Sequence, residues 1–190
     1  MADLRFQRLV GWLPWMIVAI LVLLQARAAV DVIAWSFPDN DDMLRLQQVR
    51  DLLAGQNWFN VDQSRMLTPE GGEMHWSRLP DIFIGGLILL TRPFLGQAGA
   101  ETFTLIVYPL ALFGWALATI GLIAKRLGAG IPGQVAAIVL FALSSAALNF
   151  WPGRIDHHNL VVALTLTGLC AALAPKLTSR SALIAAFSTV

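Results

Sequence analysis

Residues 9–34 form an apolar segment interrupted by only two charges, Arg27 and Asp31, with Trp12 and Trp15 near one end and Trp35 just past the other. As a helix, Trp12 to Trp35 would be roughly 35 Å long. That length matches a hydrocarbon core of about 30 Å with an aromatic anchor in each interface. Arg27 and Asp31 stand at i, i+4 and can pair on one face. A charge inside a span is a functional candidate, but a snorkelling Arg near the end of one needs no function. Further apolar stretches follow at 82–90, 103–124, 133–151 and 160–174, and another starts at 182. The chain is 57% hydrophobic and 13% charged, against about 25% charged residues in soluble domains. These features predict an all-α integral membrane protein. The net charge of +1 makes no general case for nucleic acid, and a single Cys170 excludes an internal disulfide. The first segment is too long for a cleavable signal.

The stretch 82–90 decides the topology. It is shorter than the roughly 17 residues a span needs and runs into Thr91-Arg92-Pro93, so it predicts an interfacial helix that stops there. The basic clusters Arg5/Arg8, Lys125/Arg126 and Lys176/Arg180 then fall on one side, as cytoplasmic loops require. The prediction is one membrane module. Its multi-span helix bundle has spans at about 9–34, 102–124, 133–151, 159–174 and 181–190, and residues 36–100 form a large outer loop. The chain would be a multi-pass plasma (inner) membrane protein with its active side extracytoplasmic or periplasmic.

Two clusters of chemistry fall on that outer side. Pro38-Asp39-Asn40-Asp41-Asp42 packs three carboxylates together, which stay charged only in water or around a cation. Divalent cations favour such oxygen ligands, although Asp and Asn are also good helix caps. A short amphipathic helix follows over 41–54, with Met43, Leu46, Val49 and Leu53 at helical spacing and Gly55 as its stop. The polar, aromatic loop 57–78 holds Arg65, Glu70, Glu73, His75 and Arg78, with a turn at Pro69-Glu70-Gly71-Gly72. The second cluster is Pro152-Gly153-Arg154-Ile155-Asp156-His157-His158-Asn159. One carboxylate and two imidazoles suit a metal; a cap by Asp156 or Asn159, with wet histidines, is the other reading.

In this order and sidedness the sequence resembles the catalytic subunit of oligosaccharyltransferase, a member of the GT-C superfamily of membrane glycosyltransferases. The likeness covers about residues 35–170. Asp41 with Arg50 nine positions on matches the first acidic motif and its arginine. Asp156-His157-His158 stands at the second motif, with Asp156 matching and His158 in place of the second carboxylate. Trp76-Ser77, Thr91-Arg92-Pro93-Phe94 and Lys125-Arg126 lie between them in the expected sequence. The resemblance implies a GT-C-like fold with amphipathic and interfacial helices in the outer loop. It implies an enzyme that transfers a sugar or oligosaccharide from a polyprenyl-phosphate or diphosphate donor to an extracytoplasmic acceptor, whether protein, lipid or glycan. Asp41, Asp156 and His158 are then the expected catalytic residues and the ligands of a divalent cation, Mn²⁺ or Mg²⁺; imidazole suits Mn²⁺ better. Arg50, Arg78 and Arg154 are expected at the donor phosphate, and for Arg50 a structural ion pair is an equal expectation. Asp39 and Asp42 are expected to point away.

The chain stops at Val190 inside an apolar stretch without the family's soluble C-terminal domain, so it is expected to be an N-terminal part, inactive alone. A transporter or flippase for a lipid-linked or anionic substrate would instead show mid-span charges and internal symmetry. A non-catalytic assembly subunit is the third alternative.

Overall fold

The structure, a computed structural model, describes residues 10–33, 39–66, 69, 71–176 and 178–188. The fold is all-α: 75% of it is helical, with almost no sheet. The helices are α1 (Leu13–Gln25), α2 (Ala29–Ile33), α3 (Asn40–Leu53), α4 (Leu79–Arg126), α5 (Ile131–Ala142), α6 (His157–Ala172) and α7 (Ser179–Phe187). Strands β1 (Asp62–Gln63) and β2 (Gly72–Glu73) pair antiparallel, Asp62 opposite Glu73. Two compact units divide the chain: unit 1 comprises Met1–Ala28, Pro109–Trp151 and His158–Val190, and unit 2 comprises Ala29–Tyr108 and Pro152–His157.

In unit 1, α1 packs against α5. Small residues on α4 allow close approach. A Cβ at Gly114 would lie 3.5 Å from Val22, and one at Gly121 would lie 3.0 Å from Ile138. Phe150, fully buried, meets Phe113 and Phe141 with ring centroids 5.6 and 6.3 Å away. The expected segment 133–151 is α-helical only to Ala142 and continues as a 3₁₀ turn, Ser145–Phe150. Ser144 explains the change: its hydroxyl donates to the Phe141 carbonyl at 2.7 Å and competes with the helical ladder. The segment 9–34 is likewise broken, by a 3₁₀ turn at Ala26–Ala28 between α1 and α2. The expected Arg27–Asp31 pair involves a side chain outside the described residues, as do Arg5, Arg8, Trp35 and Glu70.

Among the described residues, α4 is the one helix long and apolar enough to cross a membrane. Its course corrects the stop expected at Arg92-Pro93. The helix runs through both residues and breaks at Gly96, with φ 68° and ψ 176°. Pro93 removes one N–H from the ladder, while Thr91 donates its hydroxyl to the Leu87 carbonyl at 2.8 Å. Only glycine adopts the Gly96 conformation without strain, so the chain turns there. The expected interfacial helix 82–90 is thus the middle of a longer first arm of α4, and the span expected at 102–124 lies in its second arm.

Unit 2 is built on α3. Asp39 caps it, accepting from the Asp41 N–H at 3.4 Å. The stop expected at Gly55 is present, with φ 106°. The Gly55 and Gln56 N–H groups return to the Leu52 and Asp51 carbonyls at 3.1 and 2.9 Å, the paired bonds of a Schellman ending. Val49 and Leu53 pack on α4 where Gly85 leaves room. The loop after α3 is tied down by Arg78, which donates to Gln56, to the Asn60 carbonyl and to Asp81. Gly153, at φ 92°, donates its N–H to the Leu105 carbonyl at 2.8 Å and fastens 152–157 to α4.

Candidate functional site

The buried face of α3 carries charge. Asp42, Arg45, Leu46, Gln48 and Val49 are all buried, whereas Met43 is 54% exposed. Asp42 was expected to point away; it is fully buried and turned onto the second cluster. One carboxylate oxygen accepts the backbone N–H of Ile155 at 2.8 Å and of Asp156 at 3.0 Å. The guanidinium of Arg154 lies 3.2 Å from both Asp42 and Asp39. The acidic knot and the second cluster, more than a hundred residues apart in sequence, are therefore directly bonded within unit 2. The reason is chemical: the Ile155 and Asp156 N–H groups and the half-buried Arg154 guanidinium need an acceptor, and the Asp42 carboxylate offers several lone-pair sites.

Arg45 is the hub beneath this junction. Its side chain is fully buried, 2.9 Å from Asp81 and 3.8 Å from Asp156. Nη1 also donates to the Ser77 carbonyl at 3.0 Å. The guanidinium carbon sits 4.8 Å from the Trp76 ring centroid, a cation–π contact. Trp76 also neighbours His157, with ring centroids 5.8 Å apart. His157 closes the circuit, its Nδ1 2.6 Å from Asp156. Thus Trp76, Arg45, Asp156 and His157 form one connected cluster, with Asp81 and Arg78 supporting it at 3.4 Å from each other.

The other expected residues are distributed as follows. Asp41 is exposed on the first turn of α3. Arg50 makes a two-pronged pair with Glu101, at 2.9 and 2.6 Å, and that bond strengthens its hold on its proton. Arg78 is 5% exposed and committed to the loop. Asp156, His157 and His158 each offer a ligand atom, all within 4.8 Å of one another. One carboxylate and two imidazoles fit a borderline cation such as Mn²⁺ better than Mg²⁺. Asp156 is already shared with Arg45 and His157, so it would orient an imidazole as readily as ligate.

Burial sets the electrostatics of Asp42. It pushes the carboxyl up to about 6, against the pull of the Asp156 N–H, Arg154 and the Ile155 N–H. Asp39, held by the Asp41 N–H and Arg154, is instead lowered. An acid raised in the folded state binds its proton more tightly folded than unfolded. The stability it contributes is therefore greatest in acid and is lost as pH rises from about 4 through about 6. Relative to Asp42→Asn, the wild-type chain should lose roughly 2–3 kcal/mol between pH 4 and pH 7. Unfolding of both proteins in detergent across that range measures it. A difference that grows in the opposite direction would mean that Arg154 and the two N–H groups outweigh burial.

Sequence reading missed Arg45, Asp81 and Glu101, and gave Trp76 no role at the site. The one local signal was Asp42-x-x-Arg45, which repeats at i, i+3 on the same face as Leu46 and Val49. No protein family, curated protein or solved structure compared with this chain matches it.

Proposed function

We propose that this chain is a membrane glycosyltransferase of the GT-C type that moves a sugar or oligosaccharide from a polyprenyl-phosphate or diphosphate donor to an acceptor on the extracytoplasmic side. The observation that carries this reading is the bonding of Asp42 to the backbone of Ile155 and Asp156, which unites the two motifs on which the resemblance rests. Immersion in a bilayer with several spans has its own support. Leu23, Leu90, Phe94 and Leu140 are 68–84% exposed, an apolar surface that suits lipid rather than water.

The chemistry follows from the leaving group. Cleaving a sugar from a lipid phosphate puts negative charge on the phosphate oxygen. A divalent cation held by Asp41, Asp156 and the imidazoles that follow it would supply positive charge at that oxygen. Asp156, oriented by Arg45 and paired with His157, accepts a proton from the acceptor or aligns it. Arg50 keeps 40% of its side chain exposed beyond Glu101 and can add a bond to the donor phosphate. Arg154, whose guanidinium spans Asp39 and Asp42, holds the two motifs together.

The test uses membranes from cells expressing the full-length gene, supplied with a polyprenyl-phosphate donor labelled in its sugar. Release of the sugar from the lipid, increased by Mn²⁺, is the expected result. Movement of intact donor across the bilayer without cleavage would establish the flippase instead.

A further inference from the structure

We infer that unit 1 holds a binding site for an anionic phospholipid, separate from the Asp42–Asp156 junction. The site is a cavity of about 460 Å³ whose lining includes Arg126, Lys176 and Arg180 and no carboxylate. The described residues of unit 1 contain no Asp or Glu; the one acid in the unit's sequence, Asp3, lies outside them. Among the described residues these three cations meet no carboxylate in the cavity wall; they repel one another, and a bound anion relieves that repulsion. At the N-terminus of α7 the capping box already takes the Thr178 and Ser181 N–H groups. The attraction comes chiefly from the three cationic side chains. Arg126 is anchored by donating to the Cys170 carbonyl, which holds its guanidinium at the cavity.

The shape selects a lipid over a free anion. A second hollow of about 660 Å³ shares Trp115, Ile184 and Arg180 with the first and continues along Leu183. A phosphate between the three cations would leave its acyl chain running over this apolar wall. Basic pockets between membrane helices hold anionic headgroups in this way. The inference rests on the chain lying in a membrane, and not on the transfer reaction.

Native mass spectrometry of the chain in detergent, titrated with dioleoyl phosphatidylglycerol or dioleoyl phosphatidylcholine, tests it. The phosphatidylglycerol should be retained preferentially. Arg126→Gln with Arg180→Gln should weaken its retention about 25-fold, at about fivefold per cation, while Lys at both positions should keep it. Ile184→Trp leaves every cation in place, narrows the apolar wall and should also lower retention, which guards against misfolding of the double variant. Equal retention of the two lipids would overturn the proposal. So would competition by millimolar inorganic phosphate, which would mark a free-anion site, or a cross-link across the cavity showing another protein segment there. None of these outcomes affects the sugar-release assay, so the two readings fail separately.

Discussion

Arg45→Met should destabilise the chain by about 3–5 kcal/mol, the range for breaking a buried ion pair from one side. The methionine fills much of the volume, so the loss is mainly electrostatic. Asp81 is 1% exposed and Asp156 is 4% exposed, and each would keep its charge with less compensation. Asp81 would retain only the more distant Arg78, at 3.4 Å. The carbonyl of Ser77 would lose its donor at 3.0 Å. Unfolding in detergent followed by tryptophan fluorescence measures the effect, with Trp76 reporting locally because its ring faces the guanidinium. Arg45→Met combined with Asp81→Asn should recover at least half of the loss, since the most buried uncompensated charge is then gone. A single-variant cost under about 1 kcal/mol would show that the buried charges contribute little to stability, and strictly additive variants would show that they are not coupled.

Asp156→Asn should reduce sugar release about 10²–10⁴-fold, the usual contribution of a positioned acid–base group. The amide matches the carboxylate in shape and leaves the backbone N–H of Asp156, bonded to Asp42 at 3.0 Å, untouched. It cannot accept a proton at neutral pH or balance the charge of Arg45. The loss should therefore appear in kcat, with donor KM nearly constant. Asp41→Asn should follow the same pattern if Asp41 is the first-motif carboxylate that acts. Asp42→Asn should retain activity, because its amide oxygen can still accept from Ile155 and Asp156. If Asp42→Asn abolishes release and Asp41→Asn does not, the catalytic role passes to Asp42. If Asp156→Asn keeps more than a tenth of wild-type activity, the second motif is structural.

The resemblance to GT-C enzymes implied two acidic motifs, and Asp42 bonds the stretch that carries the first to the stretch that carries the second. The residues joining them differ from those the spacing picked. Counting nine positions back from Arg50 selects Asp41, but helical phase decides which carboxylate faces inward. Asp42, three positions before Arg45 and seven before Val49, shares their buried face. An apolar pattern cannot reveal this, because the buried positions of α3 include Asp42, Arg45 and Gln48. Sequence hydropathy assumes that such residues face water.

What the sequence alone determined is what local chemistry decides. The helical class, the apolar stretches, the start of α3 near Asp39 and its end at Gly55 each depend on residues within one or two turns. Tertiary structure decided what depends on distant partners. Arg50 meets Glu101 across 51 positions and Arg45 meets Asp81 across 36. Neither carboxylate has a local pattern that names its arginine. Likewise Pro93 looked like the end of a helix, yet the chain turned at Gly96. Proline removes one hydrogen bond from a helix that surrounding contacts can still hold, whereas left-handed extended backbone is open to glycine almost alone.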